Sequence, residues 1–216
     1  MKKLILASNS PRRAELLSLL DWHFEVIPAD INEDKQLGES PVDYVLRLAR
    51  RKAQVVAALK DGLIIAADTI VVDDDEFLGK PVDEEDAHRM LTQLRGRVHQ
   101  VFTGIALIDS HTGESFEDVC RTDVPMRDYS DADMESYIAT GDPMDKAGGY
   151  AIQHLGFQPV EGLTGCFASV MGLPLCHLTV GLRTLGYDVP ENLPERCQQL
   201  LDYDCPCFGT LLSERS

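Results

Sequence analysis

Two adjacent arginines near the N-terminus are the first residues whose placement points to a chemical role. Arg12 and Arg13 follow Ser10 and Pro11, a pair that is typical of the first positions of a helix. The arginines would then lie in the first helical turn, where the helix dipole disfavours cations by roughly 0.3–1 kcal/mol each. Free backbone N–H groups, two hydroxyls and two guanidinium groups at one place suit a phosphate or a polyphosphate. The alternative is an exposed arginine pair on a surface helix.

Asp68 is a carboxylate in a segment where charged residues are rare. It interrupts the apolar run at 63–72, which is typical of a central strand covered on both faces. Because an uncompensated buried charge costs several kcal/mol, Asp68 must be paired, bind a metal ion or face a crevice. We interpret it as a functional acid, and the alternative is a hydrogen-bonded structural aspartate.

Lys52 is a cation on the apolar side of a predicted helix. It shares one helix face with Val45, Ala49 and Val56. We predict that its side chain points into a cleft. The alternative is a lysine whose stem lies along the edge of the core while its ammonium group is in water.

Composition limits the classes of protein to which the chain can belong. Its 216 residues are 44% hydrophobic, which is enough for one large domain or two lobes. The formal net charge of -16 argues against nonspecific binding to nucleic acid or to an anionic membrane surface. The apolar run after Lys2-Lys3 is too short for a secretory signal, and no segment approaches the length of a membrane span. A cytoplasmic location is predicted, and the six cysteines are therefore expected to be thiols.

The elements that position these residues follow one another along the chain. Hydrophobic periodicity, prolines, glycines and caps predict strands at 4–7, 22–28, 63–72, 98–108 and 115–126, and helices at 11–20, 41–59, 84–95, 130–141 and 173–185. The strands at 98–108 and 115–126 are predicted to form an antiparallel hairpin, which can belong to a second lobe. A further strand is predicted at 150–152, after two glycines. Beyond Gly186 the chain is predicted to be irregular.

Six short motifs occur in order between residues 4 and 186. They are ASNSPRR at 7–13, ADTIV at 67–71, GKP at 79–81, HQVFTG at 99–104, YIATG and DKAGGYAIQ within 137–153, and VMGLPL at 170–175. Together they resemble the motifs of the Maf family of nucleoside triphosphate pyrophosphatases. The resemblance implies an α/β fold of the inosine-triphosphatase-like type, with an elongated mixed sheet, surrounding helices and a deep cleft between two lobes. It places a Maf-like domain at 1–186 and a C-terminal extension at 187–216.

The resemblance also implies an activity and roles for individual residues. The reaction is hydrolysis of a nucleoside triphosphate to the monophosphate and pyrophosphate, with Asp68 as the catalytic base. The implied phosphate contacts are Ser8, Arg12, Arg13, Lys52 and Lys80. Glu33, which the residue pattern alone marks only as an acid in a solvated turn, joins Asp68 as an acidic member of the site.

The chemistry of these residue types is consistent with phosphoryl transfer assisted by a metal ion. Displacement at phosphorus requires charge neutralisation and an aligned water molecule. Glu33 and Asp68 can hold Mg²⁺ or Mn²⁺ through oxygen ligands while one carboxylate orients or deprotonates the water. The residue types alone leave open which acid has which role.

The resemblance extends to the choice of substrate. The subgroup that acts on dTTP, UTP and related modified pyrimidine nucleotides carries the residues found here as Arg12, Thr69 and Gln153. A glutamine amide offers both a donor and an acceptor to a pyrimidine edge. Two alternatives are a pyrophosphatase for another nucleotide, such as 7-methyl-GTP, and a nucleotide-binding regulator of cell division or septum formation. The resemblance also implies a homodimer.

The C-terminal extension contains Cys197 and the Cys-Pro-Cys sequence at 205–207. Two close thiols lack the full ligand set of a tetrahedral metal site. A packed extension is therefore favoured over a soft-metal or redox role.

Overall fold

The computed structural model describes residues 3–207 and 209, so Lys2 and the end of the predicted extension, at 208 and 210–216, lie outside the described residues. One six-stranded mixed sheet runs through the molecule in the order β2-β1-β3-β5-β6, with β4 paired to β3. The strands are β1 (Leu4–Leu6), β2 (Phe24–Val26), β3 (Leu63–Asp73), β4 (Glu76–Leu78), β5 (Val98–Asp109) and β6 (Ser115–Pro125). β1 is parallel to β2 and β3, whereas β3, β5 and β6 form an antiparallel meander. The predicted mixed α/β architecture and the predicted hairpin are confirmed.

Seven α-helices accompany the sheet within the described residues. They are α1 (Pro11–Ser18), α2 (Pro41–Ala57), α3 (Glu84–Leu94), α4 (Asp131–Ile138), α5 (Phe167–Met171), α6 (Leu175–Thr184) and α7 (Leu193–Leu201). The first four helices begin at side-chain caps, because Ser10, Ser40, Asp83 and Ser130 each accept a backbone N–H from the residue three positions ahead.

The three long strands carry a separate core at each end on one face of the sheet. Ile65 and Ala67 of β3 pack with α1, α5 and α6, whereas Val71 at the other end of β3 packs with α3 and α4. On the opposite face α2 covers both ends of the sheet. The two halves of the molecule therefore meet midway along β3.

Two predictions about the C-terminal third are wrong. The predicted strand at 150–152 is a turn segment, and Ala151 donates its N–H to the Tyr137 hydroxyl rather than to a neighbouring strand. The chain beyond Gly186 is not irregular throughout, because it forms α7. Leu193 and Cys197, four residues apart, pack into the core beside α1 and α6.

No helix among the described residues is long and apolar enough to cross a membrane.

Gly104 shows how closely α2 lies on the sheet. A Cβ atom added to Gly104 of β5 would lie 2.8 Å from the carbonyl carbon and oxygen of Val45 in α2. We expect Gly104→Ala to lower the free energy of unfolding by about 1–3 kcal/mol, because an overpacked contact forces the backbone apart. Chemical denaturation measures this. Gly79→Ala is the matched control for stability, since nothing lies within 4 Å of its added Cβ. Equal midpoints for Gly104→Ala and the wild type would contradict the close contact.

Candidate active site

A gap in one edge of β3 creates the candidate site. On that edge β1 reaches only to the Leu6–Ile65 pair, and β4 begins at the Val71–Leu78 pair. Residues 66–70 therefore have no strand partner on this side, while β5 covers the other side. A cavity of about 500 Å³ opens at this gap, within the size range typical of small-molecule sites.

The cavity brings together all nine site residues that sequence reasoning identified. Its lining includes Ser8, Arg12, Arg13, Glu33, Lys52, Asp68, Thr69, Lys80 and Gln153. They come from the β1–α1 turn, the loop after β2, α2, β3, the loop after β4 and the turn at 152–153. Asp68 and Lys52 are buried, whereas Lys80 and Gln153 are exposed. The structure thus places these residues together, while the role of each remains a prediction.

Lys52 lies between two carboxylates. Its Nζ is 2.6 Å from Oδ1 of Asp68 and 2.5 Å from Oε1 of Glu33. Asp68 is 6% exposed and Lys52 is 8% exposed, so this pair is largely removed from water. The prediction that Lys52 points into a cleft is confirmed by its place in the cavity wall.

The buried environment changes the proton affinity of Asp68. Burial raises the pKa of Asp68, and the charges of Lys52 and Arg13 only partly offset this, so the pKa stays above its ordinary value. A carboxylate with a raised pKa is a stronger base than an exposed one. This suits Asp68 to accept a proton from a water molecule.

Arg13 is held by several protein acceptors. Its Nε donates to the Gly172 carbonyl at 2.8 Å, and its Nη1 donates to the Ala67 carbonyl at 2.8 Å and to Ser8 Oγ at 3.1 Å. Its Nη2 donates to Thr69 Oγ1 at 3.1 Å. Four of the five guanidinium N–H groups are therefore engaged. Burial lowers the pKa of Arg13, but an arginine remains charged in proteins. Arg13 therefore supplies fixed positive charge and positions Ser8 and Thr69.

Arg12 has fewer protein partners than Arg13. Its Nη1 is 3.3 Å from Oδ2 of Asp145. Asp145 also pairs with Lys146, whose Nζ is 2.5 Å from Oδ1. Because this ion pair is partly exposed, Arg12 can exchange its carboxylate partner for an anionic ligand at little cost.

Sequence reasoning missed two residues of the cavity wall. Lys146 is buried, with its Nζ also bonded to the Asp142 carbonyl at 2.6 Å. Tyr44 donates its hydroxyl to the Glu33 carbonyl at 2.9 Å and so fixes the loop that carries Glu33. Burial raises the pKa of Tyr44 to about 12, so the phenol stays protonated. The position of Lys146 beside Asp145 and the paired glycines was a usable signal, whereas Tyr44 gave none.

Glu33 and Asp68 are the carboxylates of the cavity that were expected to hold a divalent metal ion. Within residues 3–207 and 209, no three His, Cys, Asp or Glu side chains are grouped to hold a metal ion by themselves. Glu33 and Asp68 nevertheless direct one oxygen each toward the same point, which the Lys52 ammonium group occupies. One or two carboxylates completed by substrate phosphates and water is the arrangement that Mg²⁺ usually takes.

Comparison with known proteins identifies similar sequences over most of the chain. A family model described as "Maf-like protein" matches residues 3–185. A Dictyoglomus thermophilum protein named dTTP/UTP pyrophosphatase is 46% identical over 191 residues, covering 87% of this chain and 98% of that protein. A Desulforamulus reducens protein of the same name is 45% identical over 190 residues, covering 88% of this chain and 100% of that protein.

Two solved structures that match most of this chain have low sequence identity to this protein. The Ham1 protein of Staphylococcus aureus is 15% identical with a TM-score of 0.46, covering 75% of this chain and 81% of that chain. A nucleoside-triphosphatase, also titled dITP/XTP pyrophosphatase, from Mycobacterium abscessus is 17% identical with a TM-score of 0.44, covering 85% of this chain and 94% of that chain.

Proposed function

The chain belongs to the family of Maf-like proteins, and from this premise we propose that it is a nucleoside triphosphate pyrophosphatase that hydrolyses dTTP and UTP to the monophosphate and pyrophosphate. The observation that carries the proposal is the cavity at the gap in β3, where a buried carboxylate lies among cationic side chains. Relatives at about 45% identity that bear this activity in their names support the choice of substrate.

The proposed reaction breaks the phosphoanhydride bond between the α- and β-phosphates. Arg12 and Lys80 bind the phosphate oxygens from the accessible side. Arg13 and Lys146, whose N–H groups are engaged by protein acceptors, contribute fixed positive charge. Asp68 orients the attacking water and accepts its proton as the new P–O bond forms. Pyrophosphate leaves with the electrons of the broken bond, and the surrounding cations stabilise the charge that develops.

We propose Mg²⁺ or Mn²⁺ as the cofactor, held by Glu33 and Asp68 together with the phosphates. When bound, the ion neutralises phosphate charge and polarises the phosphorus centre. The role of Lys52 in this arrangement is to hold both carboxylates in place at the cavity. This role of Lys52 is supported by its position between the two carboxylates, 2.5 Å from Glu33 Oε1 and 2.6 Å from Asp68 Oδ1.

We propose that Gln153, Arg12 and Thr69 determine the preference for pyrimidines. Gln153 lies at the exposed rim of the cavity, where its amide can donate to one edge atom of the base and accept from another. Thr69 Oγ1 is bonded to Arg13 and lies 2.9 Å from Thr103 Oγ1. Thr69 is therefore a rigid part of the wall, and its proposed effect is on the shape of the pocket.

Release of pyrophosphate from a panel of nucleoside triphosphates, with and without Mg²⁺, tests the proposal. The panel contains dTTP, UTP, the purine nucleotides and 7-methyl-GTP. Metal-dependent release that is fastest from dTTP and UTP supports it. Faster turnover of 7-methyl-GTP or of a purine would overturn the substrate assignment. Tight nucleotide binding without any release would favour a regulator of cell division or septum formation.

The dependence of activity on pH follows from the environment of Asp68. Because its pKa is raised in the free protein, a larger fraction of Asp68 is protonated in mildly acidic solution than for an ordinary aspartate. We expect kcat/KM, which reports the free enzyme, to rise with pH through an apparent pKa above the usual carboxyl range. Initial rates from about pH 4 to pH 9, with folding checked by circular dichroism at each pH, measure this. An acid limb at the ordinary aspartate value would contradict it.

We further propose that the protein acts in the cytoplasm, where nucleoside triphosphates are available as substrates, and that it is a homodimer. Light scattering coupled to gel filtration tests the second point. A monomeric mass at micromolar concentration would overturn the dimer.

A further inference from the structure

Gln153, the residue proposed to contact the base, is held in place by its backbone rather than by its side chain. The residue is exposed, and none of the described residues is hydrogen-bonded to its amide. The direction of the side chain therefore depends on the turn at 151–158 that carries it. Whatever fixes this turn determines how accurately Gln153 is presented to a base.

Tyr137 of α4 contacts this turn on both sides of Gln153. Its hydroxyl accepts the backbone N–H of Ala151 at 3.0 Å, two residues before Gln153. Its ring is stacked on the Phe157 ring, with 4.3 Å between the centroids and 12° between the planes. The His154 ring meets Tyr137 edge-on at a centroid distance of 4.8 Å. One side chain thus fixes the beginning and the middle of the turn.

The same hydroxyl is bound to the segment that carries charged groups of the cavity. Tyr137 donates it to Oδ2 of Asp142 at 2.7 Å, and Oδ1 of Asp142 accepts from Lys146 at 3.0 Å. Lys146 also pairs with Asp145, and Asp145 pairs with Arg12. A continuous path of polar contacts therefore joins Arg12 to the turn at 151–158.

Tyr137 acts behind the cavity wall. It is 2% exposed and does not line the cavity. Burial raises the pKa of its phenol, so the hydroxyl stays protonated and can donate to Asp142 while it accepts from Ala151. Removal of this oxygen would leave the N–H of Ala151, a buried residue, without its acceptor, which is unfavourable.

We propose that Tyr137 is a positioning residue that sets the preference for uracil and thymine by holding the turn that carries Gln153. This inference rests on the proposed function and on the proposed contact of Gln153 with the base. UTP and CTP have the same sugar and triphosphate and differ only at the base edge. Uracil has a ring N–H beside a carbonyl, where cytosine has an unprotonated ring nitrogen beside an amino group. Because well-aligned hydrogen bonds weaken steeply when their geometry changes, the better-fitted UTP loses more than CTP when the turn moves.

The ratio of kcat/KM for UTP to kcat/KM for CTP in Tyr137→Phe tests the proposal. The variant keeps the ring and loses only the hydroxyl, so the turn is expected to shift. We expect the ratio to fall about tenfold, because a displacement of about 1 Å in a positioning group can cost about 10²-fold in rate. A merely structural defect lowers the amount of folded enzyme, which reduces both rates equally and leaves the ratio unchanged.

Tyr129→Phe is the matched control. Tyr129 is 1% exposed and packs on the same Phe157 ring at a centroid distance of 4.7 Å. Its hydroxyl donates to the Leu91 carbonyl at 2.6 Å, away from the cavity. The control therefore removes a buried hydroxyl from the same aromatic cluster and is expected to keep the wild-type ratio. An unchanged ratio in Tyr137→Phe, or an equal fall in both variants, would overturn the proposal.

Binding of the α,β-imido analogues of UTP and CTP, measured by isothermal titration calorimetry, separates this proposal from the proposed function. A wild type that prefers the UTP analogue but releases no pyrophosphate from any nucleotide would overturn the proposed function. The ratio of the two Kd values in Tyr137→Phe would then still decide the role of Tyr137. A wild type that binds both analogues equally would overturn the role of Tyr137.

Asp142→Ala provides a second test if Tyr137→Phe does not fold. It removes the acceptor of the Tyr137 hydroxyl but keeps the ring and the Ala151 hydrogen bond. We expect the preference for UTP over CTP to fall by a smaller factor. Any effect on Lys146 alters both nucleotides alike, since they carry the same triphosphate. In that case an unchanged ratio would overturn the proposal.

Discussion

Replacing Asp68 by asparagine is expected to lower kcat/KM for dTTP by about 10³-fold, within the 10²–10⁴-fold range of general-base catalysis. The amide has nearly the same shape as the carboxylate but accepts no proton at neutral pH. Its oxygen can still accept the Lys52 hydrogen bond that Asp68 accepts at 2.6 Å, so the fold and phosphate binding should survive. Pyrophosphate release under subsaturating dTTP measures the change.

Asp73→Asn provides a matched control on the same strand. Asp73 is a buried aspartate of β3, 2% exposed, but it pairs with Gln93 and Arg97 outside the cavity. Its variant is expected to keep wild-type kcat/KM. Undiminished activity in Asp68→Asn would mean that another group is the base, and an equal loss in both variants would mean that strand integrity had been measured instead.

Lys52→Met is expected to destabilise the protein by about 3–5 kcal/mol at mildly alkaline pH. The substitution leaves the buried Asp68 without its closest cation, and an uncompensated buried charge has a cost of this order. The cost should fall in acid. Without Lys52 the pKa of Asp68 in the folded state rises further above its value in the unfolded state. The folded state is therefore favoured at low pH, where Asp68 is protonated, and this contribution to stability is lost as the pH rises through the folded-state pKa. Denaturant unfolding at about pH 5 and about pH 8 measures both values.

A double variant separates the loss of charge pairing from the loss of packing. In Lys52→Met/Asp68→Asn both charges are absent, and replacing a buried ion pair by neutral groups is often nearly neutral for stability. We expect the double variant to regain most of the stability that Lys52→Met loses at alkaline pH. A destabilisation that is the same at both pH values, or that persists in the double variant, would show that Lys52 contributes chiefly through its aliphatic stem.

Local sequence signals were sufficient for the elements that carry the site. The continuous apolar run around Asp68 identified β3, because a strand buried on both faces requires one. Serine, aspartate and proline at helix starts identified four helices, since a cap depends only on residues three positions apart. These signals marked Asp68, Lys52 and the two arginines as candidate functional residues, and the resemblance to the Maf family grouped them in one site.

Long-range contacts explain what the sequence could not show. Arg12 and Arg13 have almost the same local context, and only the position of α1 on the sheet brings Arg13 against the carbonyls of Ala67 and Gly172. Glu33 is an exposed loop acid, and its contact with Lys52 depends on how that loop lies over α2. α7 was missed because its apolar pattern is short. Leu193 and Cys197 can be recognised as core residues only when the core that they cover is known.

The residues proposed for catalysis are buried, whereas the residue proposed to contact the base is exposed. This difference affects how substrate preference can change in evolution. Asp68 and Lys52 lie in the core, where most substitutions are costly, whereas Gln153 lies in an exposed turn. Surface substitutions away from special contacts usually change stability by about 0.5 kcal/mol or less. A lineage can therefore exchange the residue that we propose to contact the base without first acquiring compensating mutations in the core.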